Sequence, residues 1–346
     1  MLGVVKVFVD ISRFAATSTR TQLRERVNEL EDAGVTGISV SDHLFTTAGQ
    51  RSRRESAGPS CDPLTTLSVI AGLTDRLELQ TMVVNTAWVH PALLLRQFLQ
   101  LATLVGGAAV TAGLGAGWSA EEFDALGWKM PRFEARMDRF AEVLEFARNW
   151  LHSEMVSVAG EAVVARDLPR SPPAQTPPRL LVGGGSDRIL DLAGRFADVI
   201  DLHGDPRHGR VAGATMTTAA HGDAVRRVRT TVADLEVRLP LVDAAAIKAG
   251  RSAADVSVST QIWGVLRGGS NEVAEQTRSF AALWDLDPMI ELGRSPYFLV
   301  GEPAQMAEAL AERTAAYRLS QISLPESGEP GKPDARWFCK NVLPLL

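Results

Sequence analysis

Eight short apolar stretches, each followed by a helical pattern or a loop, constrain this chain more than any other feature. They lie at 4–9, 36–41, 77–84, 108–114, 179–182, 197–202, 256–266 and 321–324. Valine, isoleucine and leucine are frequent in them, as in strands buried on both faces of a parallel sheet. Helical patterns fill the spaces between. Leu23, Val27 and Leu30 form one stripe, and Met137, Phe140, Leu144, Ala147 and Leu151 form another at spacings of three and four. Asp62-Pro63 supplies an N-cap and first position to a helix over 64–73, and Pro91 opens another running to about Leu104. Such alternation predicts an α/β fold closed as a (β/α)8 TIM barrel more than an open sheet. A chain of 346 residues fits one such domain over 1–346.

Three regions break the pattern. Residues 153–178 contain Pro172-Pro173 and Pro177-Pro178 and are expected to be an irregular insertion before the fifth strand. Residues 219–249 read as mostly helical, interrupted at Pro240. The run Gln97–Ala120 has no charge and is long enough to span a bilayer, but its five glycines argue for helix end, turn, buried strand and loop. No membrane association is expected.

Composition narrows the class. Hydrophobic residues make up 45% and charged residues 22%, which fits a globular protein. The net charge is −5, so no large basic surface is implied and nucleic acid is not an expected partner. Cys61 and Cys339 are far apart, which gives no disulfide framework and no thiolate metal site. A reducing compartment and the absence of a signal-peptide pattern after Met1 predict a cytoplasmic protein.

A barrel places its chemistry at the carboxyl ends of its strands. The second strand runs straight into Asp42-His43, and histidine is the side chain best suited to proton transfer near neutral pH. The same rim receives Asp10, Asn85, the segment Gly115-Ala116-Gly117-Trp118, the turn Gly183-Gly184-Gly185-Ser186, and Asp201 with His203. The glycine turn sits between a strand and a helix, where backbone N–H groups and the helix N-terminus bind phosphate; a plain turn is the other reading. Asp187 next to it would repel an anion if it pointed inward. Neither glycine run has the Gly-x-Gly-x-x-Gly dinucleotide spacing. His203 and His208 lack convincing metal-ligand spacing, and no metal is expected. Trp88 and Trp118 either stack on a flat ligand or pack as ordinary core. Arg51, Arg53 and Arg54 lie in a polar loop on the active-site face, solvated or holding an anionic tail.

These residues resemble the luciferase-like monooxygenase superfamily of flavin and deazaflavin barrels. The matching segments are 28–44, Asp62–Leu64, His90-Pro91, 113–123, Leu126-Gly127, 178–198 and 295–303. The resemblance implies an oxidoreductase, with a homodimer as the family habit. Met82-Val83-Val84-Asn85 followed by His90-Pro91 is similar to the deazaflavin branch, in which a cis peptide bulge supports the ring; here it would join Met82 to Val83. That branch implies hydride transfer between coenzyme F420 and a small-molecule substrate. His43 would then be the proton donor or acceptor, oriented by Asp42. Met82, Val83, Asn85, Gly115, Gly117, Trp118 and Gly183–Ser186 would be the cofactor residues. Trp118 stands where sugar-phosphate dehydrogenases of that branch carry a glutamate, which leaves His43 without a familiar partner acid. The alternatives are an FMN-dependent monooxygenase and a non-catalytic flavin-binding protein.

Overall fold

All eight predicted strands become staves of one closed parallel barrel. The computed structural model describes residues 5–45, 58–105, 109–173, 176–209, 219–326 and 335–346. Its strands are β1 (Lys6–Asp10), β2 (Gly37–Val40), β3 (Glu78–Thr81), β4 (Val84–Asn85), β5 (Val110–Gly115), β6 (Met155–Ala159), β7 (Val164–Pro169), β8 (Arg179–Gly184), β9 (Val199–Leu202), β10 (Ser257–Gln261), β11 (Gly264–Arg267), β12 (Phe298–Gly301) and β13 (Leu319–Pro325). Around the barrel the order is β1, β2, β3, β5, β8, β9, β10 and β13, and β13 pairs back onto β1. β3 and β4 are two halves of one stave, broken at Met82-Val83, and both pair with β5.

The helices follow the predicted stripes. The helix Arg20–Asp32 buries Leu23, Val27 and Leu30, and a capping box from Thr19 to Gln22 satisfies its first turn. The helix Phe133–His152 buries Met137, Phe140, Leu144, Ala147 and Leu151 against the barrel. Burying side chains of this size stabilises the fold by about 1.5–3 kcal/mol each. Asp62 caps the helix Pro63–Ala71 through Oδ1, which accepts from Thr65 N at 2.7 Å. The uncharged run resolves into the helix Pro91–Leu104 and strand β5. Among the described residues no helix is long and apolar enough to cross a membrane.

Three expectations need correction. The insertion is not irregular throughout: β6 and β7 pair as an antiparallel hairpin, and the proline pairs follow it. Prolines forbid ladder donors only where they stand, and 155–168 has none. The stretch 256–266 is not one strand. β10 stays in the barrel, while β11 leaves it to pair with β12 in a separate two-stranded sheet. Pro240 starts a helix instead of interrupting one, because it occupies the first turn of Leu239–Lys248, where its missing N–H is harmless.

The barrel interior carries a polar belt. Gln321 Nε2 donates to Gln80 Oε1 at 3.0 Å, although β1 and β2 separate their strands in the sheet, so this bond runs across the lumen. Ser39 Oγ and Ser323 Oγ bond at 3.0 Å, again across an intervening strand.

Candidate active site

The break in the third stave gives the site its shape. The peptide between Met82 and Val83 is cis, as the family resemblance implied. Met82 is buried against Leu181 and Val199 inside the barrel, and Val83 packs on the same cluster. The Val83 side chain lies across glycines of two adjacent strands. A Cβ on Gly115 would sit 2.6 Å from Val83 Cγ2, and one on Gly113 would sit 3.2 Å from Val83 Cγ1 while overlapping the Thr81 carbonyl. A Cβ on Gly183 would meet Val83 Cγ1 at 3.9 Å and Asp201 Cβ at 3.7 Å. Val83 thus forms an apolar ledge beside nearly bare backbone.

Hydrogen bonds tie this kink to the end of β2. Asn85 N donates to Asp42 Oδ2 at 3.0 Å. Asn85 Oδ1 accepts from Ala87 N at 3.0 Å and lies where a Cβ on Gly117 would fall, at 2.6 Å; Gly117 itself has φ +74°. The helix Phe133–His152 clamps the same loops. Arg139 donates to Thr86 O at 2.7 Å and Val89 O at 3.2 Å, and Arg136 donates to Gly117 O. Both arginines escaped sequence reading, because their targets are backbone carbonyls with no side-chain signature.

His43 is held by Glu122, not by Asp42. Its Nδ1 lies 2.9 Å from Glu122 Oε1, which also accepts from Leu44 N at 3.2 Å. Glu122 is 3% exposed on the helix Ala120–Ala125. The expected pairing with Asp42 fails because adjacent residues diverge at a strand end: Asp42 turns to Asn85 N. Nor does His43 lack an acid. Trp118 fills the familiar position, and Glu122, in the first turn of the helix that follows, supplies the carboxylate. Trp118 meets His43 edge-on, 5.8 Å between centroids, and stays 48% exposed at the mouth. Trp88 packs edge-on against Phe123 at 6.4 Å, so it is at least partly core.

Carboxyls surround this histidine. Burial raises the Asp42 carboxyl above its usual range, against the Asn85 N–H and His43, and nearby Asp62 and Glu122 push it further up. Burial also raises Asp10, with the Ser12 hydroxyl and N–H opposing. Ser12 Oγ in turn accepts from Ser41 N at 2.8 Å and Ser41 Oγ at 2.9 Å, lacing β1 to β2. Burial pushes the Cys61 thiol up, which keeps it protonated and unsuited to nucleophilic attack.

The opposite rim carries Asp201 and His203, whose Nε2 lies 2.7 Å from Asp201 Oδ2. Burial pushes the His203 pKa down, and Arg227 and Arg226 add to that, while Asp201 opposes it. The glycine turn beside them is shaped by packing. Gly184 leaves room for Ile189, and a Cβ on Gly185 would overlap the carbonyls of His203 and Gly204. The Ile189 side chain against Gly184 and the backbone against Gly185 account for these two glycines without a ligand. Ser186 Oγ caps the helix Asp187–Phe196 by accepting from Ile189 N at 3.3 Å. Asp187 pairs with Arg238 Nη2 at 2.8 Å, and the same nitrogen donates to Gly185 O of the turn. The arginines at 51, 53 and 54 lie outside the described residues, and the His208 side chain does too.

Comparison with known proteins places this architecture. The luciferase-like monooxygenase family model matches residues 5–323. The chain belongs to that family. It is, accordingly, an enzyme of the oxidoreductase class. One curated relative, the F420-dependent glucose-6-phosphate dehydrogenase of Amycolatopsis mediterranei (strain U-32), is 24% identical over 169 residues, 49% of each protein. The alignment thus spans about half the length of that relative. Among solved structures, an F420-dependent secondary alcohol dehydrogenase in complex with an F420-acetone adduct has a TM-score of 0.71 at 15% identity, covering 99% of this chain and 98% of that one. A long-chain alkane monooxygenase has a TM-score of 0.71 at 16% identity, covering 99% and 91%. Both likenesses show the closed barrel.

Proposed function

We propose that this luciferase-like enzyme uses coenzyme F420 and moves a hydride between the deazaflavin and a small organic substrate. The observation that carries the reading is the joining of His43 to the Val83 ledge. Asp42 bonds Asn85 N, so the segment bearing an acid–base histidine and the kink bearing a flat apolar face form one hydrogen-bonded unit. A flat ring fits that ledge, because Gly183 presents bare backbone beside it with neighbours no nearer than 3.7 Å. The deazaflavin supplies the hydride chemistry when bound.

The chain's own residues supply the rest. Met82 and Val83 support the ring, flanked by Gly115, Gly117 and Asn85, with Trp118 at the mouth. Gly183–Ser186 and the helix N-terminus behind them hold the phosphate. The Asp187 carboxylate is turned toward Arg238, which removes the repulsion expected of it. Glu122 fixes the His43 ring through Nδ1 and leaves Nε2 to give or take the substrate's proton. Asp42 positions the kink and, through it, the ring. Resemblance to the dehydrogenase relative supports this branch.

An FMN-dependent monooxygenase is the second reading, favoured by the alkane monooxygenase, which the fold matches equally well. The pairing of His43 with Glu122 speaks against a non-catalytic binding protein. A screen of alcohols and carbonyl compounds, followed by the absorbance of the deazaflavin, tests the proposal. Turnover by the wild type that His43→Ala abolishes supports it. Oxygen consumption with reduced FMN, and none of this turnover, moves the enzyme to the monooxygenase side.

A further inference from the structure

Across the mouth from His43, two arginines keep buried donor atoms that have no partner among the described residues. Arg227 is 5% exposed, with its guanidinium 4.4 Å from the Trp263 ring centroid and 5.1 Å from that of Tyr297. Its Nε donates to Asp223 Oδ2 at 2.9 Å and its Nη2 to Gln261 Oε1 at 3.1 Å, yet Nη1 has no partner among the described residues. Arg226 Nη2 is bound by Asp223, and Arg226 Nε has no partner among the described residues. Nearby Asp201 spends Oδ2 on His203, and among the described residues its Oδ1 has no partner. Orphaned polar groups at such depth are costly, and charged ones more so. Burial lowers the Arg226 pKa to about 10 and pushes Arg227 down as well.

The placement is suited to a substrate. Gln261 is the last residue of β10, and Asp201 lies in β9, so this cluster stands at the carboxyl ends of two staves. Asp201 also borders the bare face of Gly183 that Val83 borders from the other side. The site is built, not merely charged. Ser295 Oγ donates to Arg227 O at 2.7 Å and fixes the helix Ala219–Arg229, while the two aromatic rings hold the guanidinium plane.

We infer that Arg226 and Arg227 form a subsite for a carboxylate group of the substrate. Each arginine offers one unpartnered nitrogen, and a carboxylate has two oxygens to accept from them through charge-assisted hydrogen bonds. A phosphate dianion fits worse, since Asp201 and Asp223 stand in the same cluster. The assignment deepens the hydride-transfer reading above and rests on it only in treating the bound group as part of the substrate.

The test titrates the full-length, cofactor-free protein with benzoate, followed by saturation-transfer NMR, and with inorganic phosphate in parallel. Saturable benzoate binding is expected, weaker binding of phosphate, and a loss of benzoate affinity of roughly tenfold or more in Arg226→Gln and in Arg227→Lys. No saturable benzoate binding by the wild type overturns the inference. So does unchanged affinity in Arg226→Gln, or tighter binding of phosphate. If Arg227→Lys does not fold, the wild-type and Arg226→Gln arms decide. Deazaflavin titration of the same samples separates the two proposals: benzoate binding without deazaflavin binding removes the cofactor reading alone, and the reverse removes the subsite alone.

Discussion

On one side of the barrel mouth, Asp10, Ser12, Ser41, Asp42, Asn85, His43 and Glu122 are laced together by hydrogen bonds between β1, β2, the broken stave and the helix after β5. On the other side, Arg226, Arg227 and Asp201 each keep a buried polar atom with no partner among the described residues. The first rim is preorganised: its histidine has a fixed orientation before anything binds. The second is incomplete, and its cost is recovered only when a ligand brings acceptors to the two arginines and a donor to Asp201. A site of this kind separates the chemical step from recognition, with the ledge at Val83 between them.

The largest effect should come from breaking the preorganised rim. His43→Ala should lower turnover by about 10²–10⁴ while leaving cofactor affinity nearly unchanged. Steady-state kinetics beside a cofactor titration checks this, and an unaltered rate would take His43 out of the mechanism. Glu122→Gln should follow with a loss of about 10², since an amide accepts from Leu44 N but does not stabilise a charged imidazole. Its signature is an altered pH–rate profile, which a purely structural role would not produce.

Next comes the ledge. Gly115→Ala places a methyl 2.6 Å from Val83 Cγ2, so Val83 must shift. A destabilisation of about 1–3 kcal/mol is expected from such overpacking, together with weaker cofactor binding. Gly127→Ala, with open space around its Cβ, is a control for loss of a left-handed glycine (φ +72°) remote from Val83. It should destabilise through backbone strain without the change in cofactor affinity.

The smallest effect concerns Asp42. Its folded-state carboxyl is raised, so the native protein holds that proton more tightly than the unfolded chain. The associated stability is present at low pH and is lost as pH rises from 3.8 through the raised value. Asp42→Asn keeps an acceptor for Asn85 N and removes the buried charge. Its melting temperature relative to wild type should therefore climb as pH rises through that window. A gap independent of pH would show that burial does not govern this carboxyl.

The barrel was legible because its evidence is local: an apolar strand announces itself in four to eight residues, and all eight did. The hairpin at 155–169 was hidden by proline pairs that lie beyond it, and the exit of β11 from the barrel was hidden because β10 and β11 are nearly continuous in sequence. At the site, His43 and Asn85 stood out as strand-end residues, and the kink at Met82–Val83 was implied by the family resemblance. Glu122 did not, because its link to His43 spans 79 positions and depends on how one short helix folds back. The glycine turn was legible only in part for the same reason. Gly185 must be small because residues 203 and 204 pass against it, a constraint visible only once β8 and β9 are neighbours.

The most direct test of the whole account is cofactor binding. Purified protein should quench deazaflavin fluorescence saturably on titration with coenzyme F420, while FMN leaves no saturable signal. Tight FMN binding with no binding of the deazaflavin would contradict it.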